Sequence, residues 1–212
     1  HYFQHTKNEY DSLTLDQDRK FRFGTKPVSV KAKIGTYPFY VNAAINVARD
    51  AETIADWTCE FNTLQIIVFD GNTAKPWENV NVSASEGRFG SRPLCGLRPY
   101  VFSYLFADSS QRRKAMQLLD LIPDGDMIMM YWVGVSQDTW IAANNNFVKD
   151  WKADTSHLGS NISLYHKIKQ LGLNQIDSFY RNIPFLFFLK KGDTSYPIFQ
   201  KVGDNISDYI VE

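Results

Sequence analysis

Three stretches of the chain are apolar almost without a break: "LQIIVF" at 64–69, "MIMMYWV" at 127–133 and "IPFLFFL" at 183–189. Each is far shorter than the roughly 20 residues a helix needs to cross a bilayer. Runs of this length predict strands, the first closed by Asp-Gly and the last by Lys-Gly, and 127–133 is apolar enough to be covered by protein on both faces. Helix periodicity shows in two other places. In "ADSSQRRKAMQLLDLI", 107–122, Ala115, Leu118, Leu119 and Ile122 fall on one face, with Asp108 and Ser109 as N-cap candidates. In "NISLYHKIKQLG", 161–172, Leu164, Ile168 and Leu171 form the stripe and Gly172 the stop. The sequence "IPDGD", 122–126, joins the first helix to the second apolar run as a tight turn.

Weaker patterns fill the rest. "YVFSYLF" at 100–106 and "YPIFQKVG" at 196–203 read as strands, as do "IDSF" at 176–179 and the alternating "ENVNVSAS" at 78–85. Toward the N-terminus, "FRF", "PVSVKAK" and "YPFYVNAAINVA" alternate as strands do, broken by Gly24, Gly35 and Pro38. Residues 48–57, "ARDAETIADW", fit a short helix or a strand. Residues 1–20 and 136–160 read as polar loops, the latter with a short helix around "NFVKDW". A Gly/Pro/Arg loop spans 86–99.

Composition narrows the class. The 212 residues are 44% hydrophobic and 15% aromatic, which points to a packed chain rather than a disordered one. Lysine and arginine total 23, as do aspartate and glutamate, so no net charge favours nucleic acid or an acidic membrane. The opening residues lack a signal-peptide pattern and begin at His1, which reads as an excised or processed product. The two cysteines, Cys59 and Cys95, leave two readings open. One is a disulfide closing a loop of about 35 residues, worth about 3–4 kcal/mol. The other is a pair of buried thiols.

Reactive chemistry is thinly represented. There is no Gly-x-Ser-x-Gly elbow for a serine nucleophile. A cysteine nucleophile needs an activating histidine; His157 and His166 are present, but Cys59 and Cys95 both read as structural, and "DGD" at 124–126 has turn chemistry without an EF-hand's ligand spacing. "GRFGSRP", with Arg88 and Arg92, has anion-binding residues but no strand-loop-helix context. "SQRRK", 110–114, reads as a solvated basic face. The aromatics are the better lead: Trp132, Trp140 and Trp151 cluster around the long loop and Trp77 lies in the first turn, and an exposed ring stacks on a sugar or anchors a partner; Trp77 and Trp140, in polar turns, read as partly exposed, and Trp132 as core.

The region 57–203 resembles the interleukin-like EMT inducer domain. The resemblance is carried by "VFDGNTAKP" at 68–76, the helix running into "IPDGD" over 112–126, the apolar strand 127–133, the helix ending in Leu-Gly at 164–172, and the strand closing on Lys-Gly at 185–192. It implies an α/β sandwich with two helices packed on β-sheets. "CGLRPYVFSYLF" and "QIDSFYRNIPFLFFLKKGD" are similar to the form found as an accessory module in gingipain-like proteins of Bacteroidota exported by type IX secretion. One lectin-like branch of the family holds sugar through an Asp-Asp after the apolar strand and a Phe-Arg-Asp before the last. Here those places read Val133-Gly134 and "YRNIP", with Arg181 one position out of register and no Asp, so that pocket does not carry over.

The expectation is therefore an α/β (α+β) fold of sandwich-like sheets with two packed helices. Residues 1–56 would form a β-rich extension, or the end of a preceding domain, and 57–212 the α/β domain. The expected role is a non-catalytic interaction or scaffolding module of a larger secreted or cell-surface protein. Its partner would be another protein or neighbouring domains of the parent chain, met through loops 86–99 and 136–160. The alternative is a carbohydrate-binding module. Trp77, Arg88, Arg92, Trp140 and Trp151 are the candidate contacts. No cofactor, metal, nucleic acid or membrane insertion is expected.

Overall fold

A computed structural model describes residues 12–15, 21–24, 28–35, 45–50, 52–56, 63–79, 81–83, 86–87, 99–105, 107–133, 147–178, 183–204 and 209–211. Its centre is a five-stranded antiparallel sheet in the order β12 (Phe199–Val202), β11 (Phe185–Lys190), β10 (Met127–Val133), β6 (Thr63–Phe69), β9 (Phe102–Leu105). All three uninterrupted apolar runs lie here, side by side. Met127 to Tyr131 of β10 pair with β11, and Met127 to Val133 pair with β6.

Side-chain parity explains why these runs tolerate no polar alternation. Successive residues of a strand face opposite ways. Ile128, Met130 and Trp132 of β10, with Leu64, Ile66 and Val68 of β6, enter one core cluster; Met129 and Tyr131, with Ile67 and Phe69, enter another. The first cluster is closed by helices: α1 (Ser109–Leu121), α2 (Phe147–Ala153) and α4 (Leu164–Gln170), with the short α3 (Thr155–Leu158) joining the last two. The second is closed by a four-stranded antiparallel sheet ordered β13 (Tyr209–Val211), β3 (Val30–Gly35), β4 (Ile45–Arg49), β5 (Glu52–Ala55). The architecture is α+β in three layers: helices, central sheet, second sheet. Two small hairpins, β1 (Ser12–Leu15) with β2 (Phe21–Gly24) and β7 (Asn81–Ser83) with β8 (Glu86–Gly87), complete the strands described.

The β-rich segment expected as an extension thus supplies one layer of the sandwich. Ala32, Ile34, Val47 and Ile54 share a core with Met129 and Leu186, and Ile210 from the C-terminal end pairs beside Ile34. Strands on either side of residue 57 therefore bury the same cluster. The described residues of the ambiguous 48–57 segment are strand to Arg49, a turn at Asp50 and strand again over Glu52–Ala55: Asp50 takes φ 52°, and its carboxylate accepts from the Ser29 N–H at 2.9 Å. Asp is among the few residues that enter this region readily, because its short carboxylate bonds nearby backbone.

Other local readings are corrected by long-range contacts. Ser12–Leu15 lies within the stretch read as loop, yet it pairs with β2. "IDSF" does not extend a sheet; Asn174–Ser178 is a 3-10 turn that drops Ile176 into the helix-side core. The basic face "SQRRK" is not wholly solvated. Arg112 is 4% exposed and forms a bidentate pair with Asp154, Nε to Oδ2 at 2.6 Å and Nη2 to Oδ1 at 2.7 Å. A guanidinium fork matched to one carboxylate is the geometry that offsets the desolvation of both ions, and it fixes α1 to the α2–α3 junction.

That pair sets a stability prediction. Asp154→Ala leaves the Arg112 charge buried without its partner and is expected to cost about 3–5 kcal/mol in urea unfolding. The double change Arg112→Met with Asp154→Leu should restore most of that loss. A double variant no more stable than Asp154→Ala would show that the pair is not what holds the helices.

Candidate functional site

The turns at one end of the central sheet are built on aspartates. Asp70 follows β6, and its Oδ1 accepts from the N–H of Asn72 at 3.1 Å, the N–H of Thr73 at 2.7 Å and the Thr73 hydroxyl at 2.8 Å. The Thr73 bonds hold the Asp70 carboxyl below its ordinary pKa. Asp126, in the "IPDGD" turn, is 8% exposed and accepts from the Gly71 N–H at 2.8 Å. Gly71 and Gly125 meet so closely that a Cβ on Gly71 would lie 1.9 Å from the Gly125 carbonyl oxygen. The third turn, after β11, closes the cluster. Gly125 N–H donates to the Lys191 carbonyl at 2.7 Å, and Lys191 N–H to the Asp126 carbonyl at 2.8 Å. The Lys191 ammonium donates to the carbonyls of Leu119 and Ile122, placing a cation at the carbonyl end of α1.

Beside these turns, an apolar cleft of about 260 Å³ opens between the two sheets. Val28, Val30 and Ala32 line it from the second sheet and the residues before β3. Met127, Met129, Leu186, Phe188 and Phe199 line it from the central sheet. Ala74 and Tyr196 come from the turns. Their placement is set by the same aspartate chemistry. Ala74 N–H donates to the Asp70 carbonyl at 2.8 Å. Asp193 Oδ1 accepts from the Ser195 hydroxyl at 2.6 Å and the Tyr196 N–H at 3.2 Å, and the Ser195 bond is the main cause of its lowered pKa.

The sequence candidates distribute unevenly over this geometry. Trp77 is half-buried, packs on the helix-side core, and donates its backbone N–H to the Val68 carbonyl at 2.8 Å. It therefore sits on the fixed loop that leaves β6. Trp151 is corrected: at 1% exposure it lies inside the helix-side core, because α2 turns that face inward beside Val148. Trp132 is core, as its place in the apolar run implied. Arg88, Arg92, Trp140, Arg181, Cys59 and Cys95 lie outside the described residues. So does most of loop 86–99 and the segment 134–146; of 136–160, residues 147–158 are helical. His166 Nδ1 is 2.8 Å from the Ser163 hydroxyl, the residue that caps α4, and His157 is exposed on α3. The cleft had no sequence signal of its own, because its lining comes from five separate short segments.

A second polar cluster joins the helices. Asp177 accepts from Lys169 at 2.8 Å, Lys152 at 2.9 Å and the Tyr165 hydroxyl at 3.0 Å. The hydrogen bonds from Lys169 and Lys152 hold its carboxyl well below the usual range, and its carboxylate in turn raises both lysines. Among the described residues, no three His, Cys, Asp or Glu side chains gather as a metal site, and no helix is long and apolar enough to cross a membrane. No protein-family model matches the chain, and no curated protein matches it.

Two outcomes follow from these clusters. Gly71→Ala forces backbone against backbone and is expected to cost about 3 kcal/mol, roughly 6–12 °C in Tm for a chain of this size; a Tm within two degrees of the parent would show that the turns can separate freely. For Asp177, the folded pKa lies below the unfolded one. Its contribution is present above the unfolded value near 3.9 and fades as pH falls below about 4. The Asp177, Lys152 and Lys169 side chains are 43–47% exposed, so solvent screening limits Asp177→Asn to about 1 kcal/mol at pH 7. The difference between variant and parent should shrink steadily as unfolding is followed from about pH 4 to about pH 2; an unchanged difference would show that the Asp177 charge contributes nothing.

Proposed function

We propose that this chain is a non-catalytic interaction module of a larger secreted or cell-surface protein, of the interleukin-like EMT inducer type. In its narrower form the resemblance ties it to proteins exported by type IX secretion in Bacteroidota. The observation that carries this reading is the mutual clamping of the turns at 70–76, 123–126 and 190–196. Binding surfaces concentrate on loops held by a rigid scaffold, and a surface ordered in advance loses little entropy when it docks. Exposed Asn72, Thr73 and Lys75 ride on the first of these turns, and Trp77 follows directly. The layering of α1 and α4 on the central sheet supports the family resemblance. Asp70, Asp108, Asp126 and Asp193 serve as acceptors for turns and a helix cap, and Asp154 and Asp177 pair with cations that tie helices together, uses that suit a scaffold.

Trp77 favours one second reading, a carbohydrate-binding module, because a half-buried indole on a fixed rim offers a stacking face.

Tryptophan fluorescence against a panel of bacterial and host oligosaccharides separates the two. The interaction module is expected to give no saturable change, and its Tm should rise when purified neighbouring domains of the parent polypeptide are added. A saturable sugar-dependent change that disappears in Trp77→Ala would overturn the first reading and establish the second.

A further inference from the structure

The cleft between the sheets has a chemistry of its own. Met127, Met129, Phe188 and Phe199 on one wall face Val30 and Ala32 on the other. None of its lining residues is charged, and the Tyr196 hydroxyl is the one polar side-chain group among them. Unbranched, polarizable methionines adapt to flexible hydrocarbon better than stiff β-branched side chains do.

One cation stands at its rim. Arg49 is the cross-strand partner of Val30, and directly paired residues share a face of the sheet. Its Nη2 donates to the Thr73 carbonyl at 3.2 Å, next to Ala74. Val30 and Ala74 both line the cleft, so the guanidinium spans from one lining residue's strand to the other's turn. Its only carboxylate neighbour among the described residues is Glu52, at 3.9 Å from Nη1, the outer limit of an ion pair. Arg49 Nε is buried and has no acceptor. Glu52 at that distance compensates the guanidinium only weakly, so a carboxylate at the mouth that reaches the Nη groups would meet an under-compensated cation.

We propose that this cleft binds a free medium-chain carboxylate, with the hydrocarbon tail between the sheets and the head group on Arg49. An apolar cavity of roughly 150 Å³ holds benzene, so by proportion this one takes a tail of about ten carbons. The inference stands on the cleft alone and does not depend on the interaction-module reading.

Isothermal titration of the full chain with decanoate tests it. Saturable binding with a negative heat-capacity change is expected, tighter by roughly tenfold or more than binding of decyltrimethylammonium, which has the same tail and the opposite charge. Arg49→Gln should abolish that preference while keeping tail-driven binding. Val30→Trp, which fills the cleft from a half-buried position, should abolish both with the circular dichroism spectrum retained. Absence of saturable decanoate binding to the parent chain overturns the proposal. Equal affinity for the two amphiphiles also overturns it, as does undiminished binding in a folded Val30→Trp variant. Co-sedimentation with phosphatidylglycerol vesicles that decanoate does not compete away would assign the cleft to a bilayer acyl chain and overturn the free ligand.

Discussion

Strand β10 has no wet face, and the rest of the fold answers that constraint. Its side chains alternate between two cores, and its neighbours β6 and β11 repeat the alternation in register. A sheet apolar on both sides must be covered on both sides. Helices α1, α2 and α4 supply one cover and the four-stranded sheet the other. This is why segments as distant as Ala32 and Ile210 end in one cluster with Met129. Backbone polar groups of the connecting turns need water or partners, so the turns are driven to the ends of the layers.

At the end where β6 leaves and β10 begins, the chain meets that demand with aspartate and glycine. Carboxylates take up the turn N–H groups, and Gly71 lets two backbones touch where any side chain would separate them. The "IPDGD" turn is central to this corner. It stops α1, starts β10, anchors the 70–75 turn through Asp126, and pairs with the Lys191 backbone. Lys191 binds the other side of the same corner by meeting the last carbonyls of α1. The cleft lies beside this rigid corner because Ala32 and Val30 are small where Met127 and Phe188 face them, so the two sheets are not filled to contact.

What could be read from sequence alone divides along physical lines. The three apolar runs announced the central sheet because burial on both faces leaves no ambiguity in their pattern. Asp108 and Gly172 announced the start of α1 and the end of α4 because capping is a local interaction. Residues whose role is set at long range were misread. Arg112 looked like part of a solvated basic run, since its partner Asp154 lies 42 positions away. Trp151 read as a candidate contact because it sits beside the long polar loop, yet α2 turns that one face inward. The β-rich N-terminal segment read as an extension or the end of a preceding domain, and nothing local says that its strands share a core cluster with a sheet built from residues beyond 63. The cleft was invisible for the same reason, and Arg49, within a segment that fitted helix or strand equally, gave no hint of its rim position.

The clamped rim and the cleft are not independent surfaces. Ala74 belongs to the Asp70 turn and Tyr196 to the Asp193 turn, and both line the cleft. The Arg49 guanidinium holds the Thr73 carbonyl of the first turn from within the second sheet. A ligand seated on these groups would add its contacts to the conformation that the turns already hold. Binding free energy is reciprocal: whatever a cleft ligand contributes to the order of the rim, a partner on the rim must return to the cleft. The coupling would run through Thr73 and Ala74, two adjacent residues, and requires no motion of the sheets. Were both proposed contacts made, the 70–76 turn would couple them, with Arg49 joined to that turn through the Thr73 carbonyl.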